Sequence, residues 1–262
     1  MGRPISGKHA IEVAAFACVF TKPFSPGVIE ALMTLKETFR EDYPVFSTTK
    51  VVEMRLEKEN VQPSASQSIA GVSLHVLNDQ HKPAWTLRAD ANSIVVSCHV
   101  YNRWGSESPK ALNDLTKVID VVADDQNPVS QLYLQTVDRF VGGNPDSYKL
   151  NQVFNSRSRY LPKQIREAGA LWHVYQGWFD SIEESPDKIL HNLNLSTNET
   201  PHGVITTIDH SARYNFSQVT PASGVSNLEI TTKHFDLLHQ TNKQIISDLL
   251  IKKQCRNIGL CL

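Results

Sequence analysis

The chain has 262 residues, and its 26 Lys and Arg side chains nearly balance its 27 Asp and Glu side chains, for a formal net charge of -1. A balance this close to neutral excludes a general electrostatic attraction to DNA or to an anionic membrane surface. No stretch of the sequence reaches the roughly 20 apolar residues of a membrane-spanning helix. We therefore predict a cytoplasmic protein that does not associate with membranes.

The sequence lacks the common signatures of catalytic, metal and cofactor sites. Its cysteines, Cys18, Cys98, Cys255 and Cys261, do not have the CxxC or Cys/His spacing of zinc sites. The GxSxG, GxGxxG and GxxxxGK[ST] motifs of hydrolases and nucleotide-binding loops do not occur either. We therefore predict no metal and no cofactor, assign no catalytic residue, and leave open whether the protein is an enzyme. Cysteines used in this way are typical of a reducing compartment.

The first half of the chain alternates strand and helix patterns. The apolar run over residues 11–20 predicts a strand that is buried on both faces. Ser25-Pro26 and Ser108-Pro109 each combine an N-cap residue with a first-turn proline, so each predicts the start of a helix. Between them we predict a strand over residues 49–56, a polar surface loop over residues 59–68, and strands over residues 71–77, 84–88 and 93–102.

The second half repeats this order of elements after a polar linker at residues 123–128. Its predicted elements are a strand over residues 129–141, a short helix over residues 159–168, strands over residues 171–181, 188–197 and 203–216, and a long C-terminal helix that starts at Thr231 and Thr232. We therefore predict an α+β fold of two similar halves, each a mostly antiparallel sheet packed by helices. The halves correspond to an N-terminal domain over residues 1–125 and a C-terminal domain over residues 126–262.

Histidines occupy apolar positions in the predicted strands of the second half. Because side chains alternate between the two faces of a strand, His210 and His191 both fall among apolar neighbours. If their strands form a hairpin, the two imidazoles lie opposite or diagonal to each other. His173 lies on a partly apolar face of the preceding strand. Such a cluster could bind a small ligand or supply an acid-base pair, with Tyr175 and Arg139 as further polar contacts, and the alternative is three core histidines.

Two segments combine aromatic and arginine side chains, a combination that is enriched at protein interfaces. The first consists of Tyr101, Arg103 and Trp104, and the second of Arg157, Arg159 and Tyr160. The second segment continues into Lys163 and Arg166, so it could also contact the phosphates of a nucleic acid. For both segments the alternative is ordinary packing at the edge of the core, and the neutral net charge disfavours the nucleic acid.

Several short motifs are spread along nearly the whole chain. They are Ile11-Glu12-Val13, Tyr43-Pro44, Trp85, Tyr101-x-x-Trp104, the stretch LYLQTVDRF that contains Arg139, Leu238-His239 and Ile258-Gly259. In this pattern the sequence resembles a sporadically distributed family of bacterial and archaeal proteins of similar length that has no established activity. That family ends its middle strand in Arg-Tyr-x-Asn, whereas Asp138-Arg139-Phe140 lacks the Asn, so we carry no role over to this stretch.

The resemblance implies an accessory role, such as bacterial defence or toxin control, and it assigns no catalytic residue. The resemblance, the missing motifs and the repeated order of elements together favour a non-enzymatic binding or regulatory protein. We expect this protein to have a protein partner or to self-associate. The alternatives are a small-ligand sensor or enzyme that uses the histidine cluster, and a nucleic-acid-binding protein that uses the basic segment.

Overall fold

The computed structural model describes residues 2–55, 64–124, 126–201 and 203–260. Within these ranges ten strands form one antiparallel sheet. The strands are β1 (Arg3–Pro4), β2 (Ile11–Phe20), β3 (Val45–Arg55), β4 (Ser64–Leu77), β5 (Pro83–Asp90), β6 (Ser93–Cys98), β7 (Val129–Val141), β8 (Trp172–Ser181), β9 (Lys188–Thr200) and β10 (Gly203–Thr220). The helices are α1 (Pro26–Leu32), α2 (Leu35–Thr38), α3 (Trp104–Val122), α4 (Ala222–Val225), α5 (Leu228–Leu249) and α6 (Lys252–Asn257), and short 3-10 turns lie at Pro145–Ser147, Leu150–Gln152 and Lys163–Glu167.

The strand order across the sheet is β3-β4-β5-β6-β2-β7-β10-β9-β8, and β1 pairs with the end of β7. The β2–β7 pair lies near the middle, where Phe16 is opposite Leu134. The other long strands of the first half lie on one side of this pair, and those of the second half lie on the other. The α+β class is confirmed, and the predicted half-sheets are joined through β2 and β7 into one sheet.

The two long helices, α3 and α5, pack on the same face of the sheet, which we call the inner face. Phe16 of β2 is fully buried there, with its ring centroid 5.4 Å from that of Trp104 and 5.5 Å from that of Phe235. Buried side chains form two clusters, a larger one under α3 and a smaller one under the C-terminal end of α5.

The start of α1 agrees with the sequence, but two other predicted helix starts are wrong. The Ser25 side chain accepts a hydrogen bond from the backbone N–H of Val28, as an N-cap does. In contrast, α3 begins at Trp104, one turn before Ser108-Pro109, because Trp104 packs on the core and the turn that follows Arg103 is already closed by backbone hydrogen bonds.

The C-terminal helix also begins earlier than Thr231 and Thr232. Its cap is Asn227, whose side chain accepts from the N–H of Ile230 at 3.2 Å. The Thr232 hydroxyl instead donates to the carbonyl of Leu228, one turn earlier in the helix, and the Thr231 hydroxyl donates to the carbonyl of Val225 in α4. The predicted helix over residues 159–168 is reduced to the 3-10 turn at Lys163–Glu167.

The predicted loop over residues 59–68 is wrong from residue 64 onward. Residues 59–63 lie outside the described residues, and from residue 64 onward the chain already belongs to β4. Cys18 and Cys98 are fully buried in β2 and β6, where burial raises the pKa of the Cys98 thiol to about 12. Of the helices in the described ranges, none has the length and apolar character needed to cross a bilayer.

Candidate ligand-binding cleft

The predicted pair His191 and His210 lies on the inner face of the sheet. Both side chains are at most 1% exposed. The register places His191 opposite Ala212 and His210 opposite Leu193, so the imidazoles are diagonal neighbours. Nδ1 of His191 lies 3.1 Å from Nε2 of His210, and the rings are stacked. The inward placement predicted from strand alternation is therefore confirmed for these two residues, whereas a ligand role for them stays a prediction.

The other three predicted contacts lie on the opposite, outer face of the sheet. His173 is exposed and contacts the Asn194 side chain, and Tyr175 is 65% exposed. Arg139 forms an ion pair with Glu12 at 2.9 Å. The prediction that these residues join His191 and His210 was wrong, because Trp172 and Trp178 are the buried or half-buried side chains of β8, and Trp178 stacks on His191. The residues of β8 that resemble a core face in sequence form an exposed stripe.

The aromatic and arginine side chains of the first interaction segment hold α3 against the C-terminal part of the chain. Tyr101 is only 9% exposed. The indole of Trp104 stacks on His239 with 3.9 Å between ring centroids, and its N–H donates to Asp236. Arg103 donates to the carbonyl of Ile258 at 3.1 Å. These contacts are internal rather than available for a macromolecular partner.

The second interaction segment is also partly used inside the protein. The ring of Tyr160 is 8% exposed and stacks on Trp178, and the guanidinium of Arg159 lies 4.8 Å from its centroid. Tyr160 is therefore unable to stack on a nucleic-acid base. Arg159 and Arg157 remain exposed, so a phosphate contact through them stays a prediction.

A cleft of about 190 Å³ opens between the two hydrophobic cores, next to the β2–β7 pair. Both halves of the chain contribute to its walls. The polar and aromatic lining consists of Tyr101, Arg103 and Trp104 from the first half, Asp138, His239, Asn242 and Lys243 from the second half, and His9 from the segment before β2. We call this set of residues the central cleft. Its remaining wall is apolar and includes Ile11, Ile246 and Ile258.

The most unusual group in the central cleft is the carboxyl of Asp138. It is 3% exposed and lies on the inner face of β7, with Ile11 and Ile208 as its register partners. Burial disfavours the charged carboxylate and raises the pKa of Asp138 to about 7, although a hydrogen bond from Thr136 opposes that shift. A carboxyl in such surroundings exchanges its proton near neutral pH.

The basic side chains of the cleft differ in their charge at neutral pH. Burial lowers the pKa of His239 to about 4, and the neighbouring charge of Lys243 adds to this effect. Burial likewise lowers the pKa of His9, with Arg103 contributing. Both imidazoles are therefore neutral at pH 7, and the positive charges of the cleft come from Lys243 and Arg103.

Among the described residues, neither His9 nor Lys243 forms a hydrogen bond or an ion pair with another side chain. Nδ1 of His9 is buried and makes no hydrogen bond to any residue that the structure describes. Among the same residues, the Lys243 ammonium takes part in none of the ion pairs.

The C-terminal segment closes one side of the cleft. Gly259 has a φ of +69°, a conformation that favours glycine, and it lies against Arg103. A Cβ added at this position would come within 3.2 Å of Nη2 of Arg103. The close packing of Gly259 therefore fixes both the arginine and the end of the chain at the rim of the cleft.

The sequence analysis missed Asp138, His9, His239, Asn242 and Lys243. Asp138 could have been found from the sequence. Every second position of β7 from Leu132 to Phe140 is buried, and Asp138 lies at one of these inward positions. A carboxyl at an inward position of a central strand is uncommon and marks a candidate site. The other four come together only through tertiary packing.

We expect the buried imidazole of His210 to make the protein sensitive to acid. Burial lowers the pKa of His210 from 6.5 to about 3, so below pH 6.5 the unfolded chain binds a proton that the folded protein does not. Stability relative to a His210→Gln variant should therefore fall by about 2 kcal/mol between pH 7 and pH 5. Urea unfolding at both pH values measures this difference. His173→Gln, on the outer face, is the control, and an unchanged difference for His210→Gln would contradict the prediction.

Within the described residues, no group of three or more His, Cys, Asp or Glu side chains is arranged to hold a metal ion. The charged and titratable groups of the central cleft include the carboxyl of Asp138, the imidazoles of His9 and His239, and the cations of Arg103 and Lys243. Such a set can bind a ligand with groups of both charges, and Asp138 can also accept or release a proton.

Comparison with known proteins adds little. No family model and no curated protein matches the sequence. Among solved structures, the di-domain ARO/CYC StfQ from the steffimycin biosynthetic pathway is 10% identical, covers 88% of this chain and 95% of its own, and has a TM-score of 0.20. The di-domain ARO/CYC BexL from the BE-7585A biosynthetic pathway is 11% identical, covers 89% of this chain and 95% of its own, and has a TM-score of 0.21. Similarity at this level carries no argument about function.

Proposed function

We propose that this chain is a ligand-binding regulatory protein and that the central cleft between its two halves takes a small zwitterion. The observation that carries the proposal is the buried carboxyl of Asp138 in a cleft that also contains Lys243 and Arg103. An isolated buried carboxyl costs stability, and such groups are typical of functional sites.

The two halves are proposed to be structurally similar, as the order of elements predicts. In the first half, β2 leads through two short helices to β3–β6 and then to α3. In the second half, β7 leads through 3-10 turns to β8–β10 and then to α5. The first strands of the two halves pair with each other, and the last helices lie on the same face, so residues from both halves reach the space between them.

The charges of the cleft favour a ligand with a positive and a negative end. Asp138 accepts hydrogen bonds from an ammonium or another N–H group. Lys243 and Arg103 attract a carboxylate or a similar anion. The apolar wall and the volume of about 190 Å³ suit a molecule of the size of an amino acid.

Several positions that carry the family resemblance meet in this cleft. They are Ile11, Tyr101, Trp104, His239, Ile258 and Gly259. We therefore propose that the shared property of that family is ligand binding at this place. The accessory role in defence or toxin control that the resemblance implies stays a prediction.

Isothermal titration calorimetry with the twenty free amino acids at millimolar concentration tests the proposal. At least one amino acid should bind the native protein. Asp138→Asn should weaken its binding by about 100-fold, because a buried charged hydrogen bond is lost. Lys243→Gln should weaken it by about tenfold. Lys233→Gln, on an exposed part of the same helix, should have no effect. Binding by no member of this panel, or binding that Asp138→Asn leaves unchanged, would contradict the proposal.

We propose self-association through β8 as a second property of the same protein. The described strands cover only one side of β8. Its outer face carries Tyr175 and Phe179, Leu171 directly precedes the strand, and all three side chains are more than 60% exposed. An antiparallel pair of two β8 strands centred on Tyr175 places Leu171 opposite Phe179 of the second copy. The stripe is therefore complementary to itself, as a two-fold interface requires.

The oligomeric state tests this second proposal. We expect a dimer of the native protein in analytical ultracentrifugation and a monomer for Phe179→Lys, because the new charge lies inside the proposed apolar contact. Val219→Lys is the matched control, since Val219 is 80% exposed but lies at the end of β10. A native monomer at high micromolar concentration would exclude the interface.

A further inference from the structure

Basic side chains gather on the surface of the second half of the chain, outside the central cleft. Two recesses there have volumes of about 310 Å³ and 520 Å³. Lys149 and Arg166 line the first recess, and Lys252 and Arg256 line the second. All four side chains are exposed, and none of them enters an ion pair with a residue that the structure describes. Their charges can therefore act on a partner in solution.

The two recesses are neighbours, because consecutive residues of one short segment line them. Ser156 lines the first recess and Asn155 lines the second. The segment is held in place, since the backbone N–H of Asn155 donates to the carbonyl of Leu249 at 2.7 Å and its side-chain amide donates to the carbonyl of Asp248 at 3.2 Å. Arg157 follows directly and is exposed. We call the five basic side chains around this segment the basic surface: Lys149, Arg157, Arg166, Lys252 and Arg256.

The basic surface has an excess of positive charge that the chain as a whole lacks. The formal net charge of the whole chain is -1. Two carboxylates lie in the same region: Glu167 lines the first recess, and Asp248 accepts a hydrogen bond from the hydroxyl of Ser158. Five cations beside two carboxylates produce a local positive potential, which attracts anions of high charge density.

The aromatic side chains next to the basic surface are not placed to stack on bases. Phe154 is fully buried, Tyr160 is covered by Trp178, and Tyr148 is half-buried with a buried hydroxyl. Binding of single-stranded nucleic acids depends on bases that stack on exposed aromatic rings. A duplex keeps its bases stacked inside and presents one phosphate charge per about 1.7 Å of its axis. The basic surface therefore suits a duplex better than a single strand.

We propose that the basic surface binds the phosphate backbone of a nucleic-acid duplex. Arginine and lysine donate charge-assisted hydrogen bonds to phosphate oxygens. Contacts to phosphates alone read no base sequence, so the binding is independent of sequence. This interaction goes beyond the proposed binding of a small zwitterion, because none of the five side chains lines the central cleft.

Fluorescence anisotropy with a labelled DNA duplex of about 20 base pairs tests the proposal, with Kd expected on the order of 10 µM at physiological salt. The logarithm of the association constant should fall with the logarithm of the salt concentration with a slope of about -4.5, since each of about five phosphate contacts contributes about -0.9. A single strand of the same length should bind several-fold more weakly, because no base stacks on the protein.

A double variant with Arg157→Gln and Arg256→Gln removes two of the five cations. It should bind the duplex about tenfold more weakly and have a salt slope that is smaller by about 2. Lys36→Gln with Arg40→Gln is the matched control, because it changes the net charge equally at exposed positions of the first half and should leave both quantities unchanged.

Three results would overturn the proposal. They are no binding of the duplex at low salt, tighter binding of the single strand than of the duplex, and equal losses in the two double variants. Binding to vesicles of phosphatidylserine and phosphatidylcholine without binding to the duplex would also overturn it, and would assign the basic surface to an anionic membrane instead.

Discussion

Between pH 4 and pH 8 we expect the native protein to lose about 3 kcal/mol of unfolding free energy relative to an Asp138→Asn variant. The pKa of Asp138 is about 7 in the folded protein, compared with an ordinary value of 3.8. The folded state therefore retains a proton that the unfolded chain has already released across this range. The contribution of Asp138 to stability is highest below pH 4 and falls as the pH rises towards 7, the opposite of the usual behaviour of an ion-paired carboxyl.

Denaturant unfolding of both proteins at several pH values measures this difference. Asp120→Asn is the matched control, because Asp120 is exposed on α3. The pH dependence of stability that Asp138 causes has the opposite sign to the one that His210 causes. Comparing each single variant with the native protein separates the two effects. A constant difference between native protein and Asp138→Asn over this pH range would show that the carboxyl is not held in its neutral form.

The second large effect is expected at Asn242, which lines the central cleft and contacts both His210 and Thr136. Asn242→Leu keeps the volume of the side chain but removes the donors to His210 and Thr136. The free energy of unfolding should decrease by about 3 kcal/mol, since buried groups are left unpaired. Gln240→Leu, at an exposed position of α5, should change stability by less than about 0.5 kcal/mol. Equal stabilities for the two variants would contradict the importance of this network.

Much of the fold could be predicted from local patterns, because strand alternation and helix capping are local properties. The run over residues 11–20 and the long strand at residues 129–141 both correspond to observed strands, β2 and β7. Pairing between β2 and β7 could not be predicted, since it depends on contacts between distant parts of the chain. The start of α3 was missed for a related reason, because the packing of Trp104 outweighs the local Ser-Pro signal.

The candidate site was predictable only in part. Strand alternation placed His191 and His210 correctly on the inner face, but it also suggested a core face for His173 and Tyr175 in β8. An edge strand can have two faces of similar polarity, so the pattern alone did not determine its orientation. The cleft itself combines the segment before β2, the start of α3, one position of β7 and α5, and no sequence pattern connects these elements.

The pKa of Asp138 provides the most direct test of the central claim. That claim is that the central cleft contains a buried carboxyl with a pKa near neutral pH. The native protein is labelled with 13C in its aspartate carboxyl groups, and the Asp138 signal is assigned by comparison with Asp138→Asn. Our account predicts a titration midpoint near pH 7 in the absence of ligand. A midpoint at or below the ordinary aspartate value of 3.8 would contradict it.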